Sequence, residues 1–538
     1  MSTEATTVLE IDHLKITAEL KGGERTLVHD STLHVKAGET LGMVGESGSG
    51  KSLTIRAIAG LLPEGFGWEG SVHIDGKDMA TLDPAAKREL RAHRIGMIFQ
   101  TPRAHLNPLR TIGDFLTEAL VTVDGKTQSE ADDIAAHLLT EVGFDEPRRR
   151  MRQYPGELSG GLLQRVMIAA ALATDPGILL ADEITTALDV TTQEEVMAVL
   201  GELARNRNLA ILFITHDLAL AGAVCDRISV MKDGRIIETL DASTMMEDAE
   251  DPYTKELLSA SLPTDLDAQV PPVAEPVLSV KDLRKTFGNF VAVEGISFDL
   301  APGGSLGIVG ESGSGKSTTV RMIAGLEKRD SGTVTVKGES WDRPARSTKD
   351  RRHRASLVQM VFQDPYQSLD PRQSVENCLR EAITLQHPEF SKTQEEERVL
   401  QLLDMVSLDR SFAPAKPRGL SGGQRQRVAI ARALAADPQI LMLDEAVSAL
   451  DVTTQVEILT LLDAIRQKTG VALLWISHDL VRTRRVCDQV VVMRRGIAVE
   501  QGPIADVLDN PTHEYTRALL DSVPREGWTP TRQNPPAA

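Results

Sequence analysis

Short unbroken apolar runs recur along this chain, and each stops close to residues that can carry chemistry. Leu41-Gly-Met-Val44 and Leu306-Gly-Ile-Val309 feed glycine-rich stretches, whereas Ile178-Leu-Leu-Ala181 and Ile440-Leu-Met-Leu443 run into acidic pairs. Leu212-Phe-Ile-Thr215 and Leu473-Leu-Trp-Ile476 end within two residues of a histidine. Four apolar positions without polar alternation predict strands buried on both faces, as in a sheet covered by helices. Helical patterns alternate with them. Residues 53–61 and 318–326 read as helices, and a second pair is apolar along Val166, Ile168, Ala169 and Leu172, and along Val428, Ile430, Ala431 and Leu434. The predicted class is α/β.

The pattern occurs twice. Gly45-Glu-Ser-Gly-Ser-Gly-Lys-Ser52 recurs as Gly310-Glu-Ser-Gly-Ser-Gly-Lys-Ser317, and Leu158-Ser-Gly-Gly161 recurs as Leu420-Ser-Gly-Gly423. Asp182-Glu183 recurs as Asp444-Glu445, and His216-Asp217 as His478-Asp479. The first motif is offset by 265 residues (316 − 51) and the other three by 262, as in 444 − 182. Two copies of one domain follow, placed at 7–261 and 277–524. Residues 262–276 carry four prolines and read as an extended linker, and the Pro-, Thr- and Gln-bearing end, 525–538, reads as a flexible tail.

Composition narrows the function. At 538 residues the chain exceeds what one core holds, and its 41% hydrophobic and 25% charged residues are those of an ordinary globular protein. No apolar run approaches a membrane-spanning length, and the N-terminal residues lack the pattern of a secretory signal, so a cytoplasmic chain reaching a membrane only through partners is expected. A net charge of −18, from 77 acidic and 59 basic residues, argues against nucleic acid as a partner. Cys225, Cys378 and Cys487 have neither metal-ligand spacing nor a disulfide framework, and read as small buried hydrophobes.

The repeated G-x-x-x-x-G-K-S between strand and helix is a phosphate cradle, whose glycines admit backbone N–H groups and whose helix adds its positive end. Gly45, Glu46, Ser47, Gly48, Ser49, Gly50, Lys51 and Ser52 form one cradle, and Gly310, Glu311, Ser312, Gly313, Ser314, Gly315, Lys316 and Ser317 the other. The lysines are expected on the β- and γ-phosphates and the final serines on Mg²⁺. Asp182 and Asp444 are expected to hold Mg²⁺ through water, and Glu183 and Glu445 to deprotonate an attacking water. His216 and His478 are expected near the γ-phosphate.

With Leu-Ser-Gly-Gly lying between cradle and acidic strand, the chain resembles the ATP-binding-cassette family. The resemblance implies two P-loop NTPase domains, each with a RecA-like core, a β-rich subdomain and an α-helical signature subdomain. It further implies that each signature faces the nucleotide of the opposite domain. Lys51, Ser52, Gln100, Asp182, Glu183 and His216 are then expected with Ser421, Gly422 and Gly423. Lys316, Ser317, Gln363, Asp444, Glu445 and His478 pair with Ser159, Gly160 and Gly161. Gln100 and Gln363 join the Mg²⁺ and the attacking water. Phe362-Gln-Asp-Pro-Tyr-Gln-Ser-Leu-Asp-Pro371 and its looser copy from Phe99 to Pro108 are similar to the oligopeptide, dipeptide and nickel importer ATPases. So are Pro252-Tyr-Thr-Lys-Glu-Leu-Leu-Ser259 and His513-Glu-Tyr-Thr-Arg-Ala-Leu-Leu520. This implies a peptide importer's motor, two membrane-spanning permeases, an extracytoplasmic solute-binding protein, and a place at the cytoplasmic face of the membrane. Nickel, haem and glutathione remain open as solutes.

The chain also departs from the family pattern. No cysteine follows either terminal motif, so the iron–sulfur centre of many relatives is not expected. Leu162-Leu163 replaces Gln424-Arg425, which predicts a polar and a basic group lost beside one nucleotide. Phe287 is expected to stack on adenine in the second half, where the first half has Ala18. A soluble tandem-cassette factor acting on the ribosome is the rival from another class. Its long charged linker and basic face are missing here. A DNA-repair cassette would be expected to carry zinc-binding cysteines.

Overall fold

A computed structural model describes residues 6–20, 23–185, 188–261, 275–343, 345, 347–364, 368–448 and 450–532. They form two compact units, one of residues 6–261 together with 522–532 and one of 275–521. The expected linker lies outside the described residues except for its last two positions.

In the first unit, Thr40–Val44, Ile178–Asp182 and Ala210–Ile214 are parallel, fully interior strands. Ile95–Ile98 and Arg227–Lys232 extend that sheet on either side, and Arg235–Asp241 closes one edge antiparallel. The antiparallel strands Thr7–Leu20, Gly23–Lys36 and Phe66–Ile74 join it through the pairing of Arg235 with Asp30. The second unit repeats this plan. Its six-stranded sheet runs Val358–Val361, Ile440–Asp444, Ala472–Ser477, Ser305–Val309, Gln489–Arg494 and Ile497–Pro503, beside a four-stranded antiparallel sheet. The interior strands are apolar on both faces because helices cover both, and each buried Leu, Ile or Val contributes roughly 1.5–3 kcal/mol.

The expected strands and helices are present, with shifted ends. The phosphate-loop helices are Lys51–Ile58 and Lys316–Ile323. They stop before Gly60 and Gly325, whose φ of 62° and 73° turns the chain out of the helix. The helices after Leu-Ser-Gly-Gly are Gly160–Ala171 and Gly422–Leu434.

The C-terminal segment corrects the flexible-tail expectation over its described part. Trp528 is only 7% exposed and belongs to an apolar cluster with Leu139, Leu163, Val196 and Leu203 of the first unit. Glu194 accepts hydrogen bonds from Ser522 Oγ, Thr531 N and Thr531 Oγ1 at 2.7, 3.1 and 2.8 Å. Arg532 pairs with Glu202 at 2.8 Å and donates to the Glu141 carbonyl at 2.7 Å. One tryptophan and one arginine among prolines and threonines carry no periodic signal, so the docking was invisible in the pattern.

Candidate functional site

Each phosphate loop leaves a buried strand and enters a helix, and its conformation demands glycine. Gly45, Gly48 and Gly50 have φ of 151°, 85° and 108°, and Gly310, Gly313 and Gly315 have 150°, 81° and 102°. A Cβ on Gly45 would lie 2.1 Å from the Met231 carbonyl oxygen, and one on Gly310 equally close to that of Met493. Lys51 is 4% exposed and turns back into the loop, donating to the Gly45 and Glu46 carbonyls at 2.8 and 2.7 Å. Lys316 repeats this with Gly310 and Glu311, both at 2.7 Å. The Ser314 hydroxyl is buried in its loop with no partner. Lys51 also donates to Ser49 Oγ at 3.3 Å, and a buried ammonium at the mouth of a glycine loop and a helix N-terminus is a charge arrangement that an incoming phosphate matches.

The acidic strand ends bring the expected residues together in both units. Ser52 Oγ donates to Asp182 Oδ1 at 2.9 Å and Ser317 Oγ to Asp444 Oδ1 at 3.0 Å. Burial raises the pKa of both aspartates from its ordinary value, the serine hydroxyls oppose that rise, and the neighbouring Glu183 or Glu445 adds to it. Hydroxyl and carboxylate oxygens side by side are the hard donors that Mg²⁺ takes, so the residues fit that ion. Gln100 Nε2 donates to Glu183 Oε2 at 2.7 Å, and Gln363 Nε2 to Glu445 Oε2 at 2.8 Å. The His216 ring nitrogen stands 3.8 Å from Glu183 and that of His478 3.6 Å from Glu445. Both glutamates adopt the left-handed region, φ 47° and 48°, a conformation costing about 1–3 kcal/mol in a residue with a side chain. The bonds from their N–H groups to Ile214 and Ile476, each 3.0 Å, hold them there.

The signature serines cap their helices: Ser159 Oγ accepts from Leu162 N at 3.4 Å and Ser421 Oγ from Gln424 N at 3.2 Å. Gln424 also reaches back to Ser421 N at 2.9 Å, a reciprocal cap that Leu162 cannot make. The Arg425 guanidinium donates to the Leu420 and Pro417 carbonyls just before its helix, so Leu163 removes a local brace. Gly161 and Gly423 have a packing reason of their own, since a Cβ there would meet the methyl of Thr192 or Thr454 at 2.2 or 2.4 Å. Gly160 is spacious by comparison, its nearest neighbour being Leu188 at 3.8 Å.

Phe287 is 47% exposed, with Lys285 Nζ 4.8 Å from its ring centre. Ala18 is 1% exposed and pairs across the sheet with Phe66, an aromatic that comparison of the N-terminal strands alone could not reach. Cys225, Cys378 and Cys487 are free thiols, and burial pushes each of them up. Among the described residues no helix is long and apolar enough to cross a membrane.

This pairing of a P-loop α/β core with a signature helix, present twice, defines a tandem ATPase. The chain belongs to the ABC transporter family, whose profile matches residues 28–186 and 293–448. The profile of the oligopeptide/dipeptide transporter C-terminal region matches residues 499–537. An uncharacterized ABC transporter ATP-binding protein YejF of Escherichia coli is 40% identical, over 96% of this chain and 99% of that protein. A peptidoglycan transport ATP-binding protein YejF of Agrobacterium fabrum is 39% identical, over 96% of each. The oligopeptide transport ATP-binding protein OppD of Mycobacterium tuberculosis is 38% identical, over 96% of this chain and 98% of that protein.

Proposed function

We propose that the chain is the ATP-hydrolysing subunit of a membrane importer for peptides, working through two ATP·Mg²⁺ sites. One observation carries this reading: the Ser–Asp and Gln–Glu hydrogen bonds form identically in both units. Lys51 and Lys316 exchange their carbonyl partners for the β- and γ-phosphates, while the loop amides and helix N-termini cradle the remaining charge. Ser52, Asp182 and Gln100 hold Mg²⁺ in the first cassette, and Ser317, Asp444 and Gln363 in the second. When bound, that ion neutralises charge on the phosphate oxygens. Glu183 and Glu445 take the proton of the attacking water, oriented by Gln100 or Gln363 and by His216 or His478. Ser159, Gly160 and Gly161, like Ser421, Gly422 and Gly423, serve the nucleotide held by the other cassette. No iron–sulfur cluster takes part.

A cavity of about 690 Å³ opens beside Gln363, lined by Arg321, Phe362, Gln363 and Leu385. Phe362 is 42% and Leu385 63% exposed. An apolar rim next to the glutamine that touches Glu445 suits a permease segment, which would thereby sense the nucleotide. The names of relatives and the matched C-terminal profile support peptides as cargo; an extracytoplasmic solute-binding protein as the donor is part of the same proposal. The test is affinity purification from detergent-solubilised membranes, then reconstitution with the co-purified chains. Peptide-loaded binding protein is expected to stimulate hydrolysis several-fold. Ribosomes in place of permeases, or stimulation by nickel, haem or glutathione alone, would refute this reading.

A further inference from the structure

One peptide unit in each phosphate loop is gripped from both sides. Its carbonyl, on Gly45 or Gly310, accepts from the loop lysine at 2.8 or 2.7 Å. Its N–H, on Glu46 or Glu311, points the opposite way and donates to a tyrosine hydroxyl, Tyr253 or Tyr515, at 3.1 Å in both units. The tyrosines lie in the first turns of Pro252–Ser261 and Glu514–Asp521, the helices formed by the two terminal motifs. Their rings are 4% and 3% exposed. A cation covers each ring, Lys232 Nζ at 4.3 Å and Arg494 Cζ at 4.7 Å from the centre. These cations end the strands Arg227–Lys232 and Gln489–Arg494, and the residues just before them, Met231 and Met493, press their carbonyls against Gly45 and Gly310. Strand end, glycine and tyrosine therefore bracket the start of the loop. The bracket is built twice from different residues around a common tyrosine, lysine replaced by arginine.

We propose that Tyr253 and Tyr515 are positioning residues for ATP, fixing the first peptide plane of each phosphate loop through the hydroxyl. The inference rests on reading these loops as the nucleotide sites. Lysine holds the plane only while it donates to the carbonyl, and it must leave for the phosphates. The plane follows a glycine at φ near 150°, where no Cβ limits rotation. From that moment the tyrosine hydroxyl is the restraint on the Glu46 or Glu311 N–H side that does not change with occupancy. The loop amides then stay aimed at the phosphates, which lowers the ordering cost of binding. Phenylalanine would keep the buried ring and its cation but withdraw the acceptor.

The test uses the full chain, with each site isolated by replacing the other loop lysine: Tyr253→Phe in Lys316→Ala, and Tyr515→Phe in Lys51→Ala. Equilibrium ATP·Mg²⁺ binding is expected to weaken about tenfold in each, equivalent to about 1.4 kcal/mol. In the assembled transporter, each single Tyr→Phe change is expected to raise KM for ATP with kcat held within twofold. Unchanged affinity in the phenylalanine variants would overturn the role, and so would a fall in kcat at constant KM. The double Lys51→Ala/Lys316→Ala chain separates the premises. Full ATP binding there would overturn the site assignment itself, whereas abolished binding alongside unaffected phenylalanine variants would refute the tyrosines alone.

Discussion

Replacing Trp528 with alanine should release the C-terminal segment from the first unit without unfolding that unit. The indole is 7% exposed within an apolar cluster, and truncating a buried tryptophan costs about 3–5 kcal/mol. The remaining anchors are polar: three hydrogen bonds onto Glu194 and the contacts of Arg532 with Glu202 and Glu141. Hydrogen bonds of this kind contribute about 0.5–1.5 kcal/mol each, more where a charge is involved. They work against the roughly 1–2 kcal/mol needed to order each residue's backbone. The segment therefore depends on the indole. At about 1.4 kcal/mol per decade, amide exchange across residues 522–532 should accelerate by about 10²–10⁴. Hydrogen–deuterium exchange on the intact chain measures this directly, and trypsin should cut at Arg525 and Arg532 in parallel. Unchanged protection of the segment would refute the reasoning. Equal loss across the whole first unit would refute it too, because Trp528 would then be part of a global core.

Replacing both bases, Glu183→Gln with Glu445→Gln, should preserve ATP binding and reduce turnover of the assembled transporter by about 10²–10⁴, the usual contribution of a positioned base; a steady-state rate above half of wild type would contradict the role. Phe287→Ala should weaken ATP at the second cassette by up to about tenfold, since aromatic stacking adds about 0.5–1.5 kcal/mol beyond burial. Site-resolved titration showing no change would remove the ring from the adenine site. Gly423→Ala drives a new methyl toward the Thr454 methyl 2.4 Å away and should destabilise the second cassette by about 1–3 kcal/mol. Adding Thr454→Ser, which deletes that methyl, should restore most of the loss in denaturant unfolding; failure of the rescue would show that the glycine serves something other than close packing.

The sequence was most legible where function repeats at fixed spacing. Two copies of the cradle, the acidic pair and the histidine located residues that the fold does bring within hydrogen-bonding reach, such as Ser52 with Asp182 and Gln100 with Glu183. The interior strands were legible for a different reason: burial on both faces leaves an unbroken apolar run. What escaped depends on contacts between distant segments. Tyr253 reaches Glu46 across 207 residues, and Ser522 reaches Glu194 across 328. Such partners are chosen by the path of the chain, which local pattern does not encode. Phe66 comes beside Ala18 only through strand pairing. Side-chain direction was the other blind spot. Arg425 lies next to the signature, and its guanidinium closes on carbonyls of the segment just before its helix.

Because residues 6–261 and 522–532 make up one unit, the second cassette is topologically an insertion within the first. The polypeptide leaves the first unit near Ser261 and returns to it at Ser522, forming a ring whose closure is non-covalent. Severing the backbone anywhere in 262–274 would open one strand of that ring and leave the other, the Asp521–Ser522 peptide bond followed by the docked segment. The two fragments would then be joined only by that docked segment, and would co-migrate through purification for as long as its non-covalent contacts hold. Separating the halves thus takes two cuts, or one cut and a lost indole.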